Sequence, residues 1–433
     1  MLEQPIPSRE RLLLGVAAAF SALALFALAL APAARAVTWA EFTPRWQHAL
    51  SLTFWLLAAV VGHLALTHRL PHRDPLLFPI AMLLSGWSIA LVWRLAPAFG
   101  LRQSLWVLVS VLAMLAVIWP PDLSRWLRRY RYLSLTLALL LTAATLIFGV
   151  NPSGSGPRLW LGLFSVYFQP AELLKLLLIS FLAAYLADTH DLLHTGLQIG
   201  PFRLPALAYL GPLLLMWGFS IILLFFQRDL GTGSLIFCVF LAMLYLATGR
   251  LSYPLLGLVL LIGGGIVLYA LFPVVQVRIN GWLNPWADPL GDSFQIVQSL
   301  FALANGGLIG QGPGLGAPGL IPVVHSDFIY AAIVEEWGLA GGMAALLLLL
   351  TLVLRGLRIS LHARQPYRAL LAAGLSALIG LQTLIIVGGV TRALPLTGIT
   401  LPFLSYGGSA LLINFLTLAL LLRLSHSSST PND

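Results

Sequence analysis

The residue best placed for chemistry is Asp288, in the segment Asn284-Pro285-Trp286-Ala287-Asp288-Pro289-Leu290-Gly291. Pro285 and Pro289 stiffen the backbone on both sides of it, because the proline ring locks φ. A carboxylate held in this way can act as a general base or bind a divalent cation. An aspartate in a loop is also commonly a solvated turn residue, as Asp292 nearby would be. The pattern alone leaves both interpretations of Asp288 open.

Two ionisable residues, Glu172 and Lys175, lie near the start of an apolar run. Their i, i+3 spacing places them on one face of a helix. Ionisable groups at membrane depth are costly, and they usually face a protein interior or a water-filled cavity. The pair is therefore either a self-neutralising structural ion pair or part of a cavity that receives a polar head group. Farther along the chain, Asp229 suits the N-cap of the next helix.

Two adjacent acids, Glu335 and Glu336, lie inside a later apolar run that opens with His325-Ser326-Asp327. Such acids indicate either a proton relay or a hydrogen bond in helix packing. The glycine-rich stretch 310–319 fails the G-x-G-x-x-G spacing and lacks a surrounding strand–helix unit, which excludes a dinucleotide site and indicates turns. The small residues of 405–409 favour close approach of helices.

The amino-acid composition indicates which kind of secondary structure positions these candidate residues. Hydrophobic types make up 59% of the 433 residues and charged types 9%, whereas soluble domains carry roughly 25% charged residues. This excludes a soluble enzyme, a secreted disulfide module and a disordered chain, and the single Cys238 excludes an internal disulfide. Because a spanning helix needs about 20 apolar residues, we predict an all-α polytopic transmembrane bundle of about 12 spans. The predicted spans are 11–31, 48–66, 76–93, 104–119, 131–149, 169–187, 206–226, 230–248, 253–275, 327–354, 368–388 and 405–424.

Arginines cluster in alternate connections between these runs, which predicts that both termini are cytoplasmic. The net charge of +9 reports this loop asymmetry rather than nucleic-acid binding. The small-x-small pattern Ala34-Arg35-Ala36 after the first run resembles a signal-peptide cleavage site, but the length of the run favours a retained anchor. The connection 276–326 is then external, and it is long enough to be functional. The polar tail 426–433 is expected to be disordered and cytoplasmic.

Taken together, these segments resemble the SEDS family (shape, elongation, division and sporulation) of RodA- and FtsW-like cell-wall polymerases. The resemblance implies a ten-helix catalytic core over 71–425, with 1–70 as an extra amino-terminal pair of transmembrane helices. Departures from the family pattern are Ala171, Arg228, Ile386 and Arg392, and none touches the Asp288 motif. The matching motifs occur in family order: Arg158-Leu159-Trp160-Leu161, Phe168-Gln169-Pro170 with Glu172 and Lys175, Gln227 with Asp229-Leu230-Gly231-Thr232, Asn284-Pro285, Asp288-Pro289, Gly291, Gln295, Gln298-Ser299, His325, Asp327-Phe328, Glu335-Glu336, Gly338, Leu394-Pro395, Gly398, Leu401-Pro402 and Ser405-Tyr406-Gly407-Gly408-Ser409.

The resemblance implies a peptidoglycan glycosyltransferase that polymerises lipid II on the outer face of the bacterial cytoplasmic membrane and releases undecaprenyl diphosphate. Asp288 would be the catalytic residue, either as the base for the acceptor sugar's 4-hydroxyl or as a ligand of Mg²⁺ or Mn²⁺; no organic cofactor is expected. The expected partners are a class B penicillin-binding protein transpeptidase and membrane lipids. The alternatives are a flippase for a lipid-linked precursor and an inactive scaffold. The residues expected to bind substrate are Glu172, Lys175, Arg158, Arg278, Gln298 and Ser405.

Overall fold

The computed structural model describes residues 6–120, 123–152, 154, 156–163, 166–189, 196–199, 202–205 and 207–429. In this part of the chain most of the backbone is α-helical. Two short antiparallel hairpins interrupt the helices, β1 (Leu161–Leu163) with β2 (Val166–Phe168) and β3 (Gly196–Ile199) with β4 (Phe202–Pro205). The helices are α1 (Ile6–Ala36), α2 (Trp46–Arg69), α3 (Leu77–Leu95), α4 (Pro97–Ile118), α5 (Leu123–Arg129), α6 (Arg131–Phe148), α7 (Pro170–Asp188), α8 (Leu207–Phe226), α9 (Leu230–Thr248), α10 (Ser252–Leu271), α11 (Pro273–Leu283), α12 (Phe294–Gly306), α13 (Ile329–His362), α14 (Pro366–Val390) and α15 (Gly408–Ser429).

The predicted all-α polytopic membrane fold is confirmed. Each of the predicted apolar runs overlaps a helix, although 253–275 extends past the end of α10 into α11, and 327–354 and 405–424 begin two and three residues before α13 and α15. Among the described residues, 11 helices are long and apolar enough to cross a membrane. The remaining run is α8, whose shorter stretch Gly211–Phe226 is also apolar. Only 6% of the most apolar window of α10 is buried within the protein, so this helix presents its leucines outward, as a lipid-facing helix does.

The chain divides into two compact units. The first comprises the described residues of 1–119, 271–355 and 382–430. In it α3 packs against α1, α4 and α15, and α4 packs against α2 and α15. Nearly every residue of α3 is buried, because the helix is apolar all round and has neighbours on several sides.

The amino-terminal part of α1 is fixed to the rest of the first unit by a buried ionic group. Glu10 is fully buried, and its Oε2 accepts a hydrogen bond of 2.9 Å from Arg73 Nε. Its Oε1 lies 2.7 Å from Arg73 Nη2 and 2.7 Å from His63 Nδ1. Since a buried charge is tolerated only when it is paired, these contacts bind α1 to α2 and to the connection before α3.

The second unit comprises the described residues of 120–270 and 356–381. Its central helix is α7, which packs against α5, α6, α8 and α9 and is buried along almost its whole length. The hydroxyl groups of Ser180 and Tyr367 meet at 3.1 Å and join α7 to α14. The unit thus surrounds the helix that carries Glu172 and Lys175.

The long connection expected over 276–326 is largely helical rather than an extended loop. It contains most of α11, all of α12 and short 3₁₀ turns at Pro285–Ala287 and Pro318–Leu320. Of the tail 426–433 that was expected to be disordered, residues 426–429 are instead helical, because α15 continues to Ser429. Residues 430–433 lie outside the described residues.

Helix α13 is interrupted at Gly338, where φ is 71° and ψ is −179°. Around the break, the carbonyls of Glu335 and Glu336 accept hydrogen bonds from the amides of Gln311 and Gly312, both at 2.9 Å. Residues 307–317, here called the glycine segment, also accept bonds at Gly307 O and Leu308 O from the amides of residues 339 and 340. Non-helical backbone at membrane depth is tolerated where protein satisfies it, and the glycine segment does so here.

Candidate active site

Asp288 lies between α11 and α12, directly after the 3₁₀ turn Pro285–Ala287. Its side chain is exposed, yet its direction is fixed, because Oδ1 accepts a hydrogen bond from Gly291 N at 3.1 Å and Oδ2 accepts one from Asp292 N at 2.9 Å. A Cβ atom on Gly291 would lie 2.2 Å from Oδ2. The carboxylate therefore packs on the bare backbone of Gly291, which explains the glycine at this position.

A cavity of about 300 Å³ lies in the first unit and shares Asp292 with this turn. Its wall combines apolar side chains with a few convergent polar groups, a composition typical of ligand sites. The polar groups include one guanidinium, two carboxyls and one amide. The lining residues are Val274, Val277, Arg278, Gly281, Trp282, Asp292, Gln295, Ile296, Asp327, Leu394, Leu396 and Gly398.

The cavity contains an acid whose pKa lies above the ordinary value of an aspartate. Burial raises the pKa of Asp327 to about 6, although its own backbone amide and the charge of Arg278 act in the opposite direction. Arg278 also donates from Nη1 to the carbonyl of Thr397 at 3.4 Å. A cationic donor and a carboxyl of adjustable charge thus face the same space.

The two helices that flank Asp288 are both attached to the segment 390–392. On one side, Ser299 of α12 is buried, and its hydroxyl donates to the carbonyl of Val390 at 3.2 Å. On the other side, Arg392 binds the carboxyl-terminal end of α11. Residue 392 is one of the positions at which the sequence departs from the family pattern.

Two predicted substrate-binding residues of the first unit, Gln298 and Ser405, lie outside the cavity lining. Ser405 is buried, its hydroxyl donates to the carbonyl of Ser326, and it accepts a hydrogen bond from Leu401 N at 2.9 Å. Gln298 is half-buried on α12. Ser405 thus joins the 401–406 turn to the residues before α13, and substrate contact at both positions stays a prediction.

The other predicted site residues belong to the second unit. Lys175 Nζ lies 2.9 Å from Oε1 and 2.8 Å from Oε2 of Glu172, and both side chains are buried. This is the ion pair that the i, i+3 spacing predicts. Asp229 caps α9 by accepting a bond of 3.1 Å from Thr232 N, as predicted, and Arg158 is exposed just before β1. Their roles towards substrate stay predictions.

The adjacent acids of α13 serve local packing. Glu336 Oε2 accepts a hydrogen bond from Gly314 N at 2.9 Å, and Glu335 Oε1 accepts one from Ala317 N at 3.0 Å. Arg94 of α3 neutralises Glu336 at 2.8 Å. Of the two interpretations that the sequence allows, these contacts match the packing hydrogen bond.

Asp288 is the residue that would hold a divalent cation. The two backbone N–H groups occupy two of the roughly four lone-pair positions of its carboxylate. Mg²⁺ in enzyme sites is commonly bound by one or two carboxylates together with substrate phosphates, so a single carboxylate fits such a site. Binding of Mg²⁺ or Mn²⁺ at Asp288 stays a prediction.

Asp327 and Gln295 are cavity residues that the sequence-based site did not include. Asp327 precedes α13 in the segment His325-Ser326-Asp327, and Gln295 lies in the first turn of α12. Both residues belong to the family motifs that follow Asp288 in the sequence, and this membership could have identified them as site residues. Leu394 likewise belongs to the motif Leu394-Pro395, whereas Trp282 and Leu396 gave no such signal, because apolar residues of these types occur throughout the chain.

Comparison with known proteins identifies the family. A sequence model of cell cycle proteins, FtsW/RodA/SpoVE, matches residues 77–430, starting at the first residue of α3. This chain belongs to that family. The predicted SEDS membership is therefore confirmed, and residues 6–76, with α1 and α2, precede the matched region.

Individual relatives agree with this membership. The chain is 40% identical over 443 residues to peptidoglycan glycosyltransferase RodA of Mycobacterium leprae, an alignment that covers 99% of this chain and 92% of the relative. It is 40% identical to peptidoglycan glycosyltransferase RodA of Mycobacterium tuberculosis, covering 86% of this chain and 81% of the relative. With stage V sporulation protein E of Bacillus subtilis, identity is 38% and coverage is 76% and 87%.

Solved structures share the fold. One chain, from work described as structural coordination of polymerization and crosslinking by a peptidoglycan synthase complex, has a TM-score of 0.68 and 25% identity, covering 83% of this chain and 99% of that chain. The crystal structure of Thermus thermophilus rod shape determining protein RodA has a TM-score of 0.57 and 25% identity, covering 83% and 98%.

Proposed function

We propose that this family member polymerises lipid II into glycan strands on the outer face of the bacterial cytoplasmic membrane and releases undecaprenyl diphosphate. The predicted enzyme class is confirmed, since the mycobacterial relatives named above are peptidoglycan glycosyltransferases at 40% identity. The observation that carries the proposed site is the exposed Asp288 carboxylate, fixed by two backbone amides beside a cavity that contains Arg278.

In the proposed reaction, the 4-hydroxyl of the acceptor sugar attacks the anomeric carbon of the donor. The glycosidic bond forms while the bond from that carbon to the diphosphate oxygen breaks, and the undecaprenyl diphosphate carries away the negative charge. Asp288 accepts the hydroxyl proton during bond formation, because a carboxylate is too weak a base to remove it beforehand. Arg278 stabilises the leaving diphosphate, since its fork geometry matches phosphate oxygens.

The proposed arrangement in the membrane follows from the arginine distribution, with both termini in the cytoplasm and 276–326 outside. A class B penicillin-binding protein is the proposed partner, and the similarity to a chain of a peptidoglycan synthase complex supports it. A reporter fused after Gly310 should report an external position, and a cytoplasmic signal would contradict the orientation.

In the decisive experiment, purified protein is incubated with lipid II, with and without the transpeptidase, and the glycan strands that form are measured. Asp288→Asn should lower the rate by about 10²–10⁴-fold, the contribution expected of a general base. Glu41→Gln, which changes another exposed acid, should leave it unchanged. Normal polymerisation by Asp288→Asn would show that Asp288 is not the catalytic residue.

The buried Glu172–Lys175 pair is what a flippase of lipid-linked precursors would also need. Liposomes that hold labelled lipid II in one leaflet distinguish the two functions. Movement of the lipid between leaflets without strand formation would favour the flippase over the polymerase.

A further inference from the structure

Helix α1 lies ahead of the family-matched region, yet it contacts the glycine segment deep in the matched sequence. Arg35, in the last turn of α1, donates from Nη2 to the carbonyl oxygens of Gly314 and, at 3.3 Å, Gly316. The backbones also approach closely, because a Cβ atom on Gly314 would lie 2.7 Å from the Cβ of Ala31. Gly314 has a φ of 77°, so glycine is favoured there for both reasons.

The remaining polar contacts of the glycine segment come from within the family-matched region. Arg94 Nη2 donates to Gly316 O at 2.7 Å, so Arg35 and Arg94 share one carbonyl. Glu335 and Glu336 hold the amides of Ala317 and Gly314. Without Arg35, the carbonyl of Gly314 loses its guanidinium donor, while the bonds made by α3 and α13 remain.

The glycine segment leads directly to the cavity. It is followed by the 3₁₀ turn Pro318–Leu320, and the carbonyl of Pro322 accepts a hydrogen bond from Gln295 Nε2 at 3.4 Å. Gln295 lines the cavity, and so does Asp327 five residues after Pro322. A shift of the glycine segment would therefore move two polar groups of the cavity wall, the side chains of Gln295 and Asp327.

Helix α1 is also fixed at its other end. Glu10 is paired with Arg73 and His63 in a fully buried contact, and α1 packs along α3 between the two attachments. A continuous helix held at both ends keeps its carboxyl-terminal turn in place, because its length is set by its own backbone hydrogen bonds.

We propose that α1 is a positioning element for the cavity, acting through Arg35 on the glycine segment. Arg35 touches neither the cavity nor Asp288 and is a positioning residue rather than a catalytic one. Helix α1 thereby helps to shape the proposed polymerase site. This inference rests on the proposed function only for its activity measurement.

The first test measures hydrogen exchange of the full-length protein in detergent. Arg35→Ala should make amides of residues 307–322 exchange at least about tenfold faster, because a hydrogen bond to a charged donor is lost. Arg35→Lys should restore part of the protection. The matched control is Arg11→Ala, which removes an exposed arginine of the same helix that bonds to Pro7 O. Unchanged exchange over 307–322 in Arg35→Ala would overturn the proposal.

The second test measures the kinetics of lipid II polymerisation. In Arg35→Ala, KM for lipid II should rise about two- to tenfold, the range expected when one neutral hydrogen bond such as that of Gln295 is lost. The kcat should stay near its original value, since the turn that holds Asp288 is untouched. Faster exchange with an unchanged KM would also overturn the positioning role. If Asp288→Asn polymerises normally, the proposed catalytic site fails, while the exchange result still decides whether Arg35 holds the glycine segment.

Discussion

Trp282 and Arg392 bind each other in both directions. The indole Nε1 of Trp282 donates to the carbonyl of Arg392 at 3.1 Å, and Arg392 Nε donates to the carbonyl of Trp282 at 2.8 Å. Arg392 Nη2 also donates to Leu283 O at 3.0 Å, so the guanidinium caps the last carbonyls of α11. Residue 392 adopts a φ of 59°, which is uncommon for a residue with a side chain.

Arg392→Ala should destabilise the protein by about 1.5–3 kcal/mol, because charge-assisted hydrogen bonds to α11 are lost. Polymerisation should fall by up to about 100-fold, since α11 leads into Asp288 and small displacements of a reacting group cost this much. The variant Arg392→Gly also lacks the guanidinium, but glycine adopts a positive φ without strain. Comparing it with Arg392→Ala therefore distinguishes the effect of the lost guanidinium from the effect of backbone strain. Wild-type activity in Arg392→Gly would show that the cap does not position Asp288.

Gly291→Ala should abolish most activity while the fold survives. Gly291 is not among the residues with positive φ, so alanine suits the backbone, but its Cβ would displace the Asp288 carboxylate. We expect a loss of about 100-fold, as for a misplaced catalytic group, measured by glycan-strand formation. The control is Gly319→Ala, where nothing lies within 4 Å of the added atom. Equal activity of the two variants would contradict the packing of Asp288 on Gly291.

Stability should depend on pH through Asp327. Its pKa rises from 3.8 to about 6 on folding, so between these values the folded state holds a proton that the unfolded state has released. Raising the pH across this window therefore lowers the stability of the wild-type protein, and the loss levels off above about pH 6. The variant Asp327→Asn should not lose stability across this window, because asparagine does not titrate. Its melting temperature relative to wild type should increase between pH 4 and 6 and stay constant above, and a difference independent of pH would refute the assignment.

Much of the fold follows from the sequence, because long apolar runs in a membrane chain have one stable backbone form. The Glu172–Lys175 pair followed from helical spacing, and the cap at Asp229 followed from residue type. The helices α11 and α12 were missed, because at 11 and 13 residues both are shorter than the runs of about 20 apolar residues that predict a membrane span. The contacts of Arg35 and Arg392 join residues far apart in sequence, and no local pattern encodes such a meeting.

The buried Glu10–Arg73 pair gives a test of how α1 is held. Arg73→Met should destabilise the protein by about 3–5 kcal/mol, because it leaves the Glu10 carboxylate buried without its main partner. The double variant Glu10→Gln/Arg73→Met should be more stable than Arg73→Met alone, measured by SDS-induced unfolding in mixed micelles. Arg45→Met, at an exposed arginine, should change stability by less than about 0.5 kcal/mol. A double variant no more stable than Arg73→Met would contradict the pairing.

The break in α13 has a consequence for the order in which the protein is made. The glycine segment is synthesised before Glu335 and Gly338, so those of its backbone groups that bond to α13 lack these partners when it leaves the ribosome. The two halves of α13 equally lack those bonds until the segment is in place. Because lipid cannot satisfy open backbone groups, membrane insertion of α13 and docking of the preceding segment must be completed together. An insertion within 318–328 that delayed docking of the glycine segment after insertion of α13 would leave the backbone groups at the break in α13 without partners, and membrane proteases would degrade such a chain.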